Sequence, residues 1–91
     1  MATKTFEDLE FIERKNFGKQ AILRFENGYG VSVLLGRMFY SNGINTYEVA
    51  VIDDSGLRYP EEICEDGDVL GWRTAEQVTE IMKKVQELAK L

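Results

Sequence analysis

The most constraining feature of this sequence is a pair of apolar runs that flank Asn27-Gly28 within RFENGYGVSVLLG, residues 24–36. Both runs are rich in the β-branched, aromatic and aliphatic residues of strands, and Asn-Gly is the strongest short signal for a hairpin. The sequence therefore predicts two antiparallel strands, over residues 21–26 and 29–35, joined by a tight turn.

The two glycines of this segment fit a hairpin better than a phosphate-binding loop. Gly28 supplies the positive φ that a tight turn requires, and Gly30 leaves room for the Phe25 ring to lie across it. A phosphate loop leads into the N-terminus of a helix, whereas this one leads into a strand.

The length of the turn sets the pairing of the two strands. With only two residues in the turn, Ile22 pairs with Val33, and Val31 lies on their face of the sheet. Leu23 and Phe25 then lie on the opposite face, and one helix cannot cover both. Ile22, Val31 and Val33 are therefore predicted to form the interface of a homodimer or higher oligomer.

Two further segments predict strands. Residues 46–52, TYEVAVI, alternate in the manner of a strand, and the turn cluster DDSG separates them from residues 57–59. Residues 36–40 are predicted to continue the preceding strand, and residues 41–45 to form a loop. The N-terminal FEDLEFIERKNFGK fits two patterns, because Leu9 and Phe11 alternate as in a strand whereas Phe6, Leu9 and Ile12 recur at near-helical spacing. A strand that ends at a turn over residues 16–18 is favoured.

The C-terminal segment predicts an amphipathic helix from Ala75 onward. Thr74 stands three residues before Gln77, as in a capping box, and one apolar stripe follows at helical spacing. That stripe consists of Val78, Ile81, Met82, Val85, Leu88 and Ala89. Trp72, just before the cap, is predicted to anchor the helix to the sheet. The fold class is α+β: a single domain over residues 1–91, with an antiparallel β-meander of four or five strands and one C-terminal amphipathic helix packed on one face.

Composition excludes several classes of function. The chain has no histidine, which removes Ser-His-Asp and Cys-His catalysis and the common zinc sites. The single Cys64 is predicted to be a small buried residue. The isoelectric point of about 4.7, without a basic stripe, argues against nucleic-acid binding. We expect a cytoplasmic protein that is not an enzyme, is not bound to a membrane, and uses neither a cofactor nor a metal.

Charge is concentrated in residues 53–68, which carry seven acids and one base, while the whole chain has a net charge of −5. Three interpretations are open. In the first, the segment is a solvated loop that keeps the protein soluble. In the second, EDGDV binds calcium, although it lacks the usual ligand spacing. In the third, the segment is a surface that binds a basic groove on a partner in place of nucleic acid. The third interpretation assigns partner binding to Glu61, Glu62, Glu65, Asp66 and Asp68.

Three blocks, LRFENGYGVSVLLG, TYEVAVIDDSGLRYP and DVLGWRTAEQVTEIM, together resemble a family of small accessory proteins encoded by tailed bacteriophages. The likeness spans roughly residues 21–88. It implies a product that acts in the cytoplasm of an infected bacterium, and it carries no catalytic residues. Such proteins commonly bind and block host machinery, including CRISPR and other defence systems, or sequester nucleotide signals.

Three functions follow from these observations. The first is an inhibitor that binds a host protein, most directly a component of an anti-phage defence, through the acidic segment. The second is an oligomeric binder of a small anionic nucleotide. Its predicted ligand-binding residues are Lys19, Arg24, Arg37, Arg58 and Tyr29. The third is an accessory protein of phage structure or assembly.

Overall fold

The computed structural model describes residues 3–15, 18–64 and 69–90, which form one antiparallel sheet with a C-terminal helix on one face. The strands are β1 (Ile12–Arg14), β2 (Gly18–Arg24), β3 (Gly30–Leu35), β4 (Tyr47–Asp53), β5 (Gly56–Arg58) and β6 (Leu70–Arg73), and the helix is α1 (Ala75–Gln86). A 3₁₀ turn, Phe6–Asp8, precedes them. The predicted α+β class is confirmed, with six strands in the described residues instead of four or five.

Strands β1 to β5 are neighbours in chain order. β6 also pairs with β4, along the part of that strand that β5 does not reach. β5 pairs with residues 51–53 of β4, whereas β6 pairs with Tyr47 and Val49. The strand pattern of β6 is hard to recognise in the sequence because its four residues include Gly71, and glycine is depleted in strands.

Two predicted boundaries differ from the structure. β3 ends at Leu35, so the prediction that residues 36–40 continue this strand is wrong: the backbone N–H of Gly36 bonds to the Ser41 hydroxyl at 3.1 Å and turns away from the sheet. At the N-terminus only Ile12–Arg14 form a strand, and the turn predicted over residues 16–18 lies largely outside the described residues.

The first hairpin has a three-residue turn, and the predicted two-residue turn is wrong. The N–H of Phe25 donates to the carbonyl of Tyr29 at 2.7 Å, and the positive φ of Gly28, 93°, follows a turn that begins at Phe25. Glu26 therefore joins Asn27 and Gly28 in the turn, and every pair in the hairpin shifts by one residue.

This shift moves the two valines of β3 to the other face of the sheet, because a slip of one residue reverses which face each side chain occupies. Val31 pairs with Leu23 and Val33 with Ala21. Both valines are fully buried in the core, so their assignment to an oligomer interface is wrong. Of the three predicted interface residues, Ile22 alone remains accessible, at 50% exposure. The oligomer itself stays a prediction.

Gly30 has a different role from the one predicted. It lies opposite Arg24, and a Cβ at this position would approach the carbonyl oxygen of Leu23 to 2.6 Å. The close approach of the two strands at the end of the hairpin, and not the ring of Phe25, accounts for glycine here.

Helix α1 closes the core as its sequence predicts. The Thr74 hydroxyl accepts from the Gln77 N–H at 3.3 Å, and the Gln77 side chain accepts from the Thr74 N–H at 2.9 Å, which confirms the capping box. The buried positions of the helix are Val78, Ile81, Met82 and Val85, which pack with the valines of β3 and β4. No helix in the described parts of the chain has the length and apolar content that a membrane crossing requires.

Candidate functional site

The first two acids of the acidic segment are paired within the protein. The Asp53 carboxylate is 4% exposed and bonds to the Arg58 guanidinium and, at 2.7 Å, to the backbone N–H of Ser55. Asp54 lies 3.5 Å from the Arg24 guanidinium at the surface. Hydrogen bonds from Arg58 and from the Ser55 backbone lower the pKa of Asp53 below the ordinary aspartate value of 3.8. Asp53 therefore stabilises the β4–β5 turn and is not available to a partner.

This pairing predicts a specific dependence of stability on pH. Because the pKa of Asp53 is lower in the folded protein than in the unfolded chain, its contribution is present above the unfolded value and is lost as the pH falls through the folded value. We expect Asp53→Asn to remove this acid-side decline, as measured by urea unfolding at a series of pH values below about 5. The matched variant Asp54→Asn, at an exposed position, should keep the decline. Equal slopes in Asp53→Asn and the wild type would contradict the assignment.

The remaining acids of the segment divide into two groups. Glu61 and Glu62 are exposed in a turn that follows Pro60, and Ile63 and Cys64 behind them are buried against the core. The prediction of a buried Cys64 is confirmed. Glu65, Asp66 and Asp68, and with them the calcium interpretation of EDGDV, lie outside the described residues. The described residues contain no cluster of acids and cysteine that could hold a metal.

The structure does not bring the five predicted nucleotide-binding residues together. Arg24 and Arg58 bond to the two aspartates at the β4–β5 turn. Lys19 pairs with Leu35 towards the other end of the sheet, Arg37 lies just beyond that end, and Tyr29 packs against the core. The set therefore does not form one site.

A second surface, which sequence reasoning missed, is built on the loop of residues 36–46. Side chains inside the loop hold its backbone: the side-chain oxygen of Asn42, Oδ1, accepts from the N–H groups of residues 44, 45 and 46 at 2.9–3.0 Å. The buried Ser41 hydroxyl donates to the Thr46 carbonyl at 2.6 Å and accepts from the N–H of Gly43 at 2.9 Å. Such local bonds fix the backbone of a loop that has no partner strand.

This ordered loop presents large apolar side chains to solvent. Met38 is 73% exposed and Ile44 72%, and Tyr40 is also exposed. Strand β6 adds Trp72, whose backbone N–H donates to the Tyr40 backbone carbonyl at 2.8 Å. The preceding residue must be glycine, because a Cβ at Gly71 would lie 2.5 Å from the Cβ of Tyr40. We define the Tyr40–Trp72 surface as Arg37, Met38, Tyr40, Ile44 and Trp72.

The backbone at Trp72 is strained. Its φ of 57° lies in the left-handed region, which a bulky residue rarely adopts, and its side chain is 60% exposed. The prediction that Trp72 anchors the helix to the sheet is therefore wrong. A strained residue whose side chain faces solvent is typical of functional sites, because the surrounding structure must hold it there against its preference.

The fold and this surface define an α+β protein with an antiparallel sheet, one covering helix and an exposed aromatic surface beside the helix cap. Comparison with protein-family models, with curated proteins and with solved structures finds no match to the chain. The resemblance to tailed-phage accessory proteins therefore stays a prediction.

Proposed function

We propose that this chain is a small, non-enzymatic binding protein that occupies a surface of a host protein through the Tyr40–Trp72 surface. In line with the phage resemblance of its sequence, the partner is a bacterial protein, and a component of an anti-phage defence is the first candidate. The observation that carries the proposal is Trp72, held in a strained backbone with its ring in solvent.

The composition of the surface supports protein binding. Trp, Tyr and Arg are the residues that dominate the binding energy of protein interfaces, and the surface contains one of each. Rigid aromatic side chains lose little conformational entropy on binding, and the hydrogen-bonded 36–46 loop is already ordered before a partner arrives. Met38 and Ile44 add apolar area that a partner would remove from water.

The exposed acids outside the Tyr40–Trp72 surface are proposed to attract a basic partner. Glu61 and Glu62 face solvent, and the segment that contains them, residues 53–68, carries seven acids against one base. A concentrated charge attracts a basic partner over a distance, which raises the association rate and makes binding sensitive to salt. Aromatic contacts would then hold the complex, while the acids accelerate its formation.

The variant Trp72→Gly tests the proposal because it separates binding from folding. Relief of left-handed strain, worth about 1 kcal/mol, offsets the entropy that glycine loses, so the free energy of unfolding should stay within about 1 kcal/mol of wild type. Binding should weaken by about 30-fold or more, the effect of removing an interface hot spot. Unfolding in urea and titration of the purified partner measure the two quantities.

The partner is found by retention from bacterial lysate on immobilised protein, with Leu57→Ala, which alters an exposed leucine elsewhere, as the control. A partner should be retained by wild type and by the control but not by Trp72→Gly. Equal retention by Trp72→Gly would contradict the proposed surface. Inhibition is measured by the plating of a restricted phage on cells that contain the retained defence component and express the chain. Unchanged plating would reject the inhibitory role.

Neutralising the acidic segment gives a second expected result. Replacing Glu61, Glu62, Glu65, Asp66 and Asp68 by Gln or Asn should leave stability unchanged, since like charges that are close in sequence repel one another and their removal relieves that repulsion. Partner binding should weaken by about one hundredfold at low salt, because loss of the long-range attraction slows association with a basic partner. A control with five exposed glutamates changed elsewhere (Glu7, Glu10, Glu13, Glu76 and Glu87 to Gln) should bind normally. Equal weakening in both variants would show a general effect of net charge.

A further inference from the structure

A cavity of about 690 Å³ lies between the turn of the first hairpin and the C-terminal end of α1. Three stretches of chain that are distant in sequence line it: residues 3–4, residues 24–27 and positions between 86 and 90. Its volume is within the range of about 300–1,000 Å³ that small-molecule sites occupy. No residue of the Tyr40–Trp72 surface lines it.

The walls of the cavity are held by two side-chain amides. The Gln86 amide accepts from the N–H of Lys4 and donates to the carbonyl of Lys4, both at 2.9 Å, which ties the N-terminal segment to the helix. The Asn27 amide nitrogen donates to the carbonyls of Val85 and Leu88, at 2.8 and 3.2 Å, which ties the hairpin turn to the helix end. The cavity is thus present before any ligand binds.

These amides are engaged by the protein itself. The Gln86 side-chain nitrogen also donates to the Met82 backbone carbonyl at 3.0 Å, and the Asn27 side-chain oxygen accepts from the Tyr29 backbone N–H at 3.1 Å. Because both side-chain amides are already bonded to protein groups, neither is the main hydrogen-bonding partner of a ligand. Recognition must come from the charged and apolar groups that remain.

The charged groups of the cavity are mainly basic. Lys4, Arg24 and Lys90 line it against one acid, Glu26. Because Arg24 also lies 3.5 Å from Asp54, Lys4 and Lys90 are the main basic groups for a ligand. The negative end of a helix dipole faces this region, but the Asn27 amide already bonds to two of the terminal carbonyls. The positive lining therefore favours an anion, which lysine and arginine bind as charged donors.

The apolar part of the lining comes from Phe25 and Leu88, both of which also pack against the core. A flat ring can lie against a phenylalanine face, while a charged group on the same molecule reaches the basic side chains. We propose that this cavity binds a small aromatic anion, a flat ring that carries a phosphate or sulfonate. This site shares only Arg24 with the five ligand residues that the sequence predicts.

Titration of the ¹⁵N-labelled protein followed by amide chemical shifts tests the proposal, with adenosine monophosphate and anilinonaphthalene sulfonate as the probes. At least one probe should give saturable shifts centred on Lys4, Phe25 and Asn27. Adenosine, which lacks the charge, and inorganic phosphate, which lacks the ring, should bind roughly tenfold more weakly or worse. Absence of saturable shifts with both probes, equal affinity for adenosine, or shifts centred on Trp72 would each overturn the proposal.

A pair of double variants provides the matched control. Lys4→Gln with Lys90→Gln removes two charges from the cavity, whereas Lys83→Gln with Lys84→Gln removes two charges from helix positions outside it. The first variant should lose roughly tenfold in affinity for the bound probe, and the second should change little. An equal loss in both variants would show a general response to net charge and reject the site. Because neither pair touches the Tyr40–Trp72 surface, failure here leaves the proposed partner binding unaffected.

Discussion

Replacement of Val33 by aspartate is expected to unfold the protein, whereas replacement of Ile22 by aspartate should leave it folded. Val33 is fully buried between Ala21 and Val49 in the sheet, and α1 covers this face. An unpaired carboxylate there costs several kcal/mol, a large part of the roughly 5–15 kcal/mol that stabilises a typical domain. Ile22 points to the other face and is half exposed, so its aspartate stays in water.

Circular dichroism and urea unfolding of the two variants measure this difference. The comparison also tests the register directly, because a two-residue turn would place both side chains on the same face and give the variants similar stabilities. A folded Val33→Asp protein, or an unfolded Ile22→Asp protein, would contradict the three-residue turn. A second phenotype serves as a check: Ile22→Asp should lower self-association if the predicted oligomer forms through the face that Ile22 occupies.

Replacement of Asn27 by aspartate is expected to destabilise the protein about as much as replacement by alanine, although aspartate is common in turns. Asn27 makes three hydrogen bonds, two to helix carbonyls and one from the Tyr29 N–H. Alanine loses all three, worth about 1 kcal/mol each. Aspartate keeps the acceptor and loses only the two donated bonds, but its negative charge faces the negative end of α1, which costs about 0.5–1 kcal/mol more. The total for aspartate is therefore about 2.5–3 kcal/mol, close to the total for alanine.

Urea unfolding at neutral pH measures the free energy of unfolding of both variants. Lowering the pH towards 4 should restore part of the stability of Asn27→Asp, because protonation removes the unfavourable charge. The control is Asn45→Asp in the 36–46 loop, where the side chain is exposed and the variant keeps its acceptor for the Asn42 amide. This control should stay within about 0.5 kcal/mol of wild type. An Asn27→Asp protein as stable as wild type would show that the hairpin turn does not hold the helix.

The parts of the fold that local patterns determine were predictable from the sequence. The helix begins where Thr74 and Gln77 form their capping box, and the turn at Gly28 has the positive φ that Asn-Gly indicates. The register was not predictable in the same way, because it depends on whether Glu26 belongs to the strand or to the turn. That single residue decides whether Val33 is buried or exposed.

The Tyr40–Trp72 surface was harder to predict than the acidic segment, for a physical reason. Charge can be counted in a sequence, but whether an apolar side chain is exposed depends on the tertiary structure around it. Trp72 is a large apolar residue between Gly71 and a helix cap, so its sequence context predicts burial. One local signal was available: Ser41, Asn42 and Thr46 form bonds typical of turns, and large apolar residues placed among such residues are seldom buried.

The contact between Asn27 and the helix end also affects the chemical stability of the protein during storage. An asparagine that precedes glycine loses its amide more readily than others, since glycine does not hinder attack by its own backbone nitrogen on the side chain, and asparagine is among the thermolabile residues. In the folded protein the Asn27 amide is held by the carbonyls of Val85 and Leu88 and is kept from this reaction. Deamidation therefore proceeds through molecules in which the contact with the helix end has opened. Each deamidated chain has lost the side-chain nitrogen that bonds to Val85 and Leu88, so it cannot form this contact again. Because deamidation is slow compared with reclosing, its rate follows the fraction of molecules that are open, and peptide mapping of stored protein would record it as a slow, irreversible loss.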